Sequence, residues 1–537
     1  MNNEGTKYSR LILALILGSI LFRAVIAIGT ELGNDEVYYR IFALFPSLSY
    51  FDHAPMVAWL IDLTTWRAEY EGEIFVRLAS IVIGTINTYI IYRIAGRGKR
   101  GFIAALLFVG SIYASIIVGT FIMPDTPLSL FWLLTLWLLM DILPIKEGSQ
   151  KMAHPWMVDF KMILAGLTIG LAMLSKYTGV YLWAATALYV LLYNRNWLSR
   201  WSLYVAPVLS LIVFSPVLIW NYQNDFISFT FHSSRVVADS SFNLLYFGRE
   251  ILGGFFYNNP INFVVIICAI VSYIKFRNHY ILDNKFKYLL VFSLPLICVF
   301  LVISLSRATL PHWAGPAYFA LIILAAHWLD TRENGLHVAW ASVGFTLIIG
   351  VAGLLQINYG VMQEFEHHIT RTPIGADSIS SNKRDLGRGD VTLDMYGWQQ
   401  LKTKLSCMIA DDRQVDLIGK DPILVTYRWD EAAHLDAYVA RPVGLKLVTV
   451  GPLFDTHFYE SISARRGGLQ LNDGAYLVIS SRYWAEDLPV FKTLNIDPNK
   501  IDHIISIVRA GECVVNFLIY RISPSLPAVL PTEKALL

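Results

Sequence analysis

The sequence predicts a polytopic α-helical membrane protein, with about eleven transmembrane helices and a C-terminal soluble α/β domain. Three observations carry this. Apolar runs long enough to cross a bilayer recur along the first two thirds of the chain. Charged residues make up 16% of the 537 positions and apolar ones 55%, where a soluble globular chain has about 25% charged. After Gln356 the composition turns polar and the apolar residues fall into short runs.

A hydrocarbon core about 30 Å thick needs roughly 20 mostly apolar residues per helix. The expected spans lie near 8–29, 74–95, 101–122, 126–144, 160–175, 177–193, 201–220, 256–275, 286–305, 313–329 and 336–357. Lys7 and Arg10 before Leu11–Ile28 would also suit a signal peptide. That run is long for one and no small-residue cleavage site follows, so it reads as an uncleaved first span. One set of alternate loops is basic: Arg93, Arg97, Lys99 and Arg100; Lys146, Lys151 and Lys161; Arg195 and Arg200; Lys275, Arg277, Lys285 and Lys287. The positive-inside rule makes these loops and the N-terminus cytoplasmic. An odd number of spans then leaves the C-terminal region outside.

The domains expected are a transmembrane domain over residues 1–357 with a long first outer loop 30–73, a connector 358–393, and an extracytoplasmic α/β domain 394–537. The connector carries Thr372-Pro373, Gly375 and a charged stretch around Lys383–Asp390. Beyond it, Ile423–Tyr427, Leu445–Val450, Tyr476–Ser480 and Val514–Tyr520 read as strands, and Trp398, Leu401, Leu405 and Ile409 share one helical face. A net charge of +2 without a basic tract gives no sign of nucleic-acid binding, and four cysteines show no metal-type spacing. Cys407 and Cys513 both fall in the outer domain, where a bridge would close a loop of about 100 residues. Two independent buried thiols is the preferred alternative, since spacing cannot fix the separation a bridge needs.

The polar residues that sit awkwardly in so apolar a chain gather on the outer side. The first loop carries Asn34-Asp35-Glu36, Tyr38-Tyr39 and Tyr50-Phe51-Asp52-His53-Ala54-Pro55. Its apolar runs Ile41–Phe45 and Met56–Ile61 suit amphipathic helices lying on the membrane, although Asp35 would equally serve as a helix cap. Asp125 lies in the turn Met123-Pro124-Asp125-Thr126-Pro127, where capping is again the plain alternative. Lys176 is wedged between two short apolar segments and must pair or snorkel. His232 and Arg235 share a helical face, and Arg307 precedes Pro311-His312-Trp313. Arg23, inside the first span, would neutralise a nearby carboxylate. Together, carboxylates, a lysine, arginines and histidines on one face of a bundle suit a lipid-borne anion. Lysine and arginine hold a phosphate; carboxylates manage a proton or a metal.

Several of these pieces, in this order, resemble the polyprenyl-phosphate-sugar glycosyltransferases of the GT-C fold, in the protein-mannosyltransferase-like family that includes the aminoarabinose transferases of lipid A. The matching pieces are Asp35–Tyr39, Tyr50–Leu60, Pro124–Pro127, Gly170–Tyr177, Trp220-Asn221 with Phe231-His232, and Pro311–Tyr318; Gly397-Trp398 also fits. The resemblance implies that Asp35 is the general base, with Glu36 beside it, and that Asp125 is the second acidic residue of the active site. It places Lys176 at the carrier phosphate, with Arg235, Arg307, His53 and His312 as further phosphate contacts. Asp52 and His232 match positions implicated in binding a divalent metal ion, two ligands being too few to name it. The chain departs at His53, where the aminoarabinose branch has lysine, and at Tyr38, where it has arginine; both departures weaken a claim to that donor.

The function implied is inverting transfer of a sugar from a polyprenyl-phosphate carrier to an acceptor hydroxyl on a glycolipid, glycan or protein at the outer face of a bacterial inner membrane. The alternative is a transporter or lipid flippase, which many spans and intramembrane charges fit equally. The long first outer loop, the outer α/β domain and the lack of repeats speak against it. A membrane-anchored sensor would leave the outer carboxylates without a purpose.

Overall fold

The computed structural model describes residues 3–67, 69–70, 72–144, 155–236, 242–361 and 386–524. Lys146, Lys151 and most of the connector, with Thr372, Pro373, Gly375 and Lys383, lie outside the described residues. By contact density the chain divides into two compact units. One comprises Met1–Ala27 and Ser47–Gly350, the other Ile28–Pro46 and Val351–Leu537.

The first unit is a helical bundle. Six helices are long and apolar enough to cross a membrane, counted over the described residues of the whole chain, or seven if the pair Leu244–Tyr257 and Pro260–Ile274, bent by 97°, is one span. The other expected spans appear as shorter or broken helices, among them Gly98–Val109, Asp125–Met140 and Tyr181–Tyr193. Lipid-facing stripes explain what composition alone cannot. Leu13, Leu17 and Leu21 recur every fourth residue on the first helix and are all exposed. So are Val205, Val208, Ile212 and Ile219 on Ser202–Gln223. Exposed apolar stripes of this length are stable only against hydrocarbon.

Inside the bundle, small residues bring helices together. Gly166 and Gly170 of helix Pro155–Ser175 form a Gly-x-x-x-Gly step against Ala206 and Ser210 of helix Ser202–Gln223. A Cβ at Gly166 would lie 2.4 Å from the Ala206 carbonyl oxygen, so the two backbones touch. Ser210 Oγ donates to the Gly166 carbonyl at 2.5 Å, and Trp183 Nε1 donates to the same hydroxyl at 3.0 Å. Arg23 does not meet the expectation of a carboxylate partner. Its guanidinium is fully buried between Gly84 and Gly119, and none of its nitrogens has a hydrogen-bond partner among the described residues.

The second unit is a five-stranded mixed sheet with flanking helices. The strands are β1 (Ile423–Thr426), β2 (Leu447–Thr449), β3 (Ala475–Ser480), β4 (His503–Arg509) and β5 (Glu512–Ile522), in spatial order β2-β1-β3-β5-β4. β1 runs parallel to both neighbours, with Leu424 opposite Leu447 and Tyr476. β5 is antiparallel to β3 and β4. Every residue of β3 is buried, as a central strand covered on both faces requires. Helix Trp398–Gln414 buries Trp398, Leu401, Leu405 and Ile409, the stripe its periodicity predicts.

β4 was not legible as a strand. Its apolar residues run together as Ile504-Ile505 and Ile507-Val508 rather than alternating, and a register shift lies between Ile507 and Val508. The readable signal was Ala510-Gly511. Both have positive φ, 51° and 90°, and they join β4 to β5 as a two-residue hairpin. Cys407 and Cys513 are free and exposed, so neither the bridge nor the buried-thiol reading holds. The unit also extends beyond the expected domain. Helix Asn34–Leu44, assigned from sequence to the membrane domain, belongs to it, as does Asp390, whose carboxylate receives Arg509 Nη2 at 2.7 Å.

Candidate active site

The bundle contributes a buried ion pair. Helix Pro155–Ser175 stops where Lys176 turns extended (φ −156°, ψ 138°), and the chain returns through a short 3-10 turn, Tyr177–Val180. Gly179 makes the return possible, since a Cβ there would lie 2.5 Å from the Ala172 backbone. This turn directs Lys176 Nζ to Asp125 Oδ2 at 2.7 Å. Asp125 opens helix Asp125–Met140, but the N-cap is Pro124, which makes no side-chain cap bond. Its second oxygen accepts the Tyr113 hydroxyl at 3.1 Å. Asp125 is almost fully buried, and the Lys176 side chain keeps 18% of its surface exposed. Among the described residues Nζ spends one of its three N–H donors on Asp125, and the side chain stays partly exposed.

Tyr113 was missed from sequence. It lies in an apolar run, Ser111-Ile112-Tyr113-Ala114-Ser115, that reads only as membrane helix. The run forms a π-helical turn, Tyr113–Ile117, and such bulges gather at functional sites. Gly315 of the motif Pro311–Ala317 lies against the Tyr113 ring, and a Cβ there would come within 2.4 Å of it. His312, from the same turn, interacts electrostatically with both Asp125 and Lys176. Burial pushes its imidazole down to about 4, Lys176 acts in the same direction and Asp125 opposes. His312 is thus neutral at pH 7. The sequence-predicted Asp125, Lys176 and His312 are brought together.

A second group adjoins the first through Tyr177. Its ring meets that of His232 edge-on at 5.0 Å, and its hydroxyl bonds Ser228 Oγ at 2.8 Å. His232 Nε2 is 2.9 Å from the backbone oxygen of Asp52, and His53 Nδ1 is 3.1 Å from the Asp52 carboxylate. Among the described residues no group of three or more His, Cys, Asp or Glu is placed to hold a metal ion. Arg307 lies between helix Leu294–Ile303 and the turn that carries His312. Arg235 falls in helix Ile227–Val236, with its side chain outside the described residues.

Asp35 and Glu36 belong to the other unit. Helix Asn34–Leu44 has Gly33 as N-cap, and Glu36 Oε2 accepts the Gly33 N–H at 3.0 Å. Glu36, grouped with the catalytic acids from sequence, is thereby used to cap, and Asp35 beside it is half-exposed. Tyr38, on the same helix, is held inside this unit. Its hydroxyl accepts the Phe458 N–H at 3.1 Å and its ring packs on Trp429, Phe42 and Tyr459. These contacts anchor the helix within its own unit.

Comparison with known proteins agrees with this architecture. Residues 52–220 match the family described as dolichyl-phosphate-mannose-protein mannosyltransferase. The lipid A galacturonosyltransferase RgtD of Rhizobium johnstonii is 25% identical over 386 residues, 71% of this chain and 76% of that protein. The crystal structure of ArnT from Cupriavidus metallidurans in the apo state superposes with a TM-score of 0.58 at 16% identity, over 96% of this chain and 98% of that one. The form bound to undecaprenyl phosphate gives the same score over 97% and 99%. These structural likenesses show the fold.

Proposed function

We propose that this chain, a GT-C-fold glycosyltransferase of the protein-mannosyltransferase-like family, moves a sugar from undecaprenyl phosphate to a glycolipid of the lipid A class on the outer face of the bacterial inner membrane. The observation that carries this reading is Lys176, held by buried Asp125 with donors to spare. A cation anchored by a carboxylate is suited to a departing phosphate. The RgtD name supplies the acceptor class, and the undecaprenyl phosphate bound to ArnT supplies the carrier.

In this reading Asp35 removes the proton from the acceptor hydroxyl, and the oxygen attacks the anomeric carbon. The bond to the carrier phosphate breaks, with inversion. Lys176 meets the charge on the leaving phosphate, aided by neutral His312 as a hydrogen-bonding partner. Asp125 and Tyr113 hold Lys176 in place. No step is assigned to a divalent ion at Asp52 and His232.

The test is transfer by purified protein in detergent, from undecaprenyl phosphate carrying galacturonic acid and a panel of other sugars, to lipid A. Transfer from one of these donors is expected. Asp35→Asn should cut it about 10²–10⁴-fold, the usual worth of a general base. A protein that moves undecaprenyl phosphate between leaflets of vesicles and transfers none of the sugars would be a flippase instead.

A further inference from the structure

The segment that leads into Asp35 is tied to the α/β unit almost residue by residue. Glu31 accepts the backbone N–H groups of Trp398 and Gln399, both at 2.9 Å, and so caps helix Trp398–Gln414. The Leu32 N–H donates to the Tyr438 hydroxyl at 2.8 Å. Asn34, first residue of its helix, is gripped at its side-chain amide. Its Oδ1 lies 3.0 Å from His434 Nε2, and its side chain also hydrogen-bonds Asp394. Asp394 in turn receives Arg482 Nη2 at 2.7 Å.

His434 is unusually constrained. Its ring stacks on Trp398 at 4.0 Å and 5°, and near Tyr438 at 6.0 Å and 16°. It is fully buried, and Nδ1 has no hydrogen-bond partner among the described residues. Burial, reinforced by Arg482, holds it well below the ordinary histidine range, so it is a neutral imidazole with one N–H. With Asn34 Oδ1 as acceptor, that N–H is on Nε2. A stacked, neutral ring with its single donor aimed at Asn34 costs a buried polar atom.

We infer that His434 and Asp394 are positioning residues, which set the first helical turn carrying Asp35 by clamping Asn34 from both sides. This inference rests on Asp35 as general base. A base displaced by about 1 Å can lose about 10²-fold in rate, and the helix that bears Asp35 has only eleven residues to hold its angle.

The test uses the full chain in detergent, with the donor and lipid A acceptor that support transfer by the unaltered protein. His434→Phe keeps the stack and removes the donor; Asn34→Ala removes the acceptor. Each is expected to lower kcat about 10- to 100-fold with the donor KM and the binding of undecaprenyl phosphate unchanged. The double variant should be no slower than the slower single one, and His434→Gln, which restores an N–H, should recover part of the rate. In an Asp35→Asn background neither change should slow the residual reaction further. If His434→Phe loses melting temperature, Asn34→Ala alone decides. Unaltered kcat in both singles, beside a disabled Asp35→Asn, overturns the positioning role alone. An unaltered rate in Asp35→Asn overturns the general-base assignment and this inference with it.

Discussion

From sequence, Lys176 must pair or snorkel, and nothing says whether the fold needs it. The Asp125 contact changes that. Lys176→Met would strand a nearly fully buried carboxylate, and breaking a buried pair from one side costs about 3–5 kcal/mol. Thermal unfolding in detergent should therefore show Lys176→Met strongly destabilised. Lys176→Met/Asp125→Asn should recover much of the loss without recovering transfer. A single variant as stable as the unaltered protein would mean that the pair contributes nothing to the fold. Tyr113 teaches the converse. A tyrosine in an apolar run looks like lipid-facing or core packing, and only the π turn and the bare face of Gly315 aim its hydroxyl at Asp125.

Among the elements, the contact of helices Pro155–Ser175 and Ser202–Gln223 governs where Lys176 sits. Gly166→Leu would push a branched side chain into the Ala206 backbone, at a cost of about 1–3 kcal/mol or more from overpacking. It should lower the melting temperature and weaken transfer together, although it touches no site residue. In the α/β unit, Glu431 follows Asp430 on the helix Trp429–His434. Burial first, and then Asp430, raise its carboxyl to about 8. The folded state therefore holds a proton that the unfolded chain releases near its ordinary value. Stability from this group is complete below the unfolded value, about pH 4.5, and is lost as pH rises through about 8. Melting of the full chain from pH 5 to 8 should show this fall, and Glu431→Gln should flatten it. Parallel curves would show that Glu431 ionises normally.

On the scale of the whole molecule, orientation is the property with the widest consequences. A reporter fused after Arg100 is expected on the cytoplasmic side, and one fused within 365–390 on the outer side. Both on one side would reverse the parity of the spans and remove the outer-face reaction. The eleven expected spans do not map onto eleven uniform helices. Apolar length reports how much chain lies in hydrocarbon, and the helices break at Gly110-Ser111, Lys176 and Asn258-Asn259, where polar side chains or turns interrupt them.

The sequence by itself determined the membrane class and the α/β domain after the connector, and it singled out Asp125, Lys176 and His312 as candidates. Those features depend on composition, period and local motif, which are written along the chain. What only tertiary structure decided involves partners remote in sequence. Asp125 and Lys176 are bonded across 51 residues, and Asn34 and His434 across 400. Helix Asn34–Leu44 packs with the α/β unit because Tyr38 finds Trp429 and Phe458 there. An apolar helix advertises that it will be buried but not against what, and a polar side chain shows its role only when the group opposite it is known.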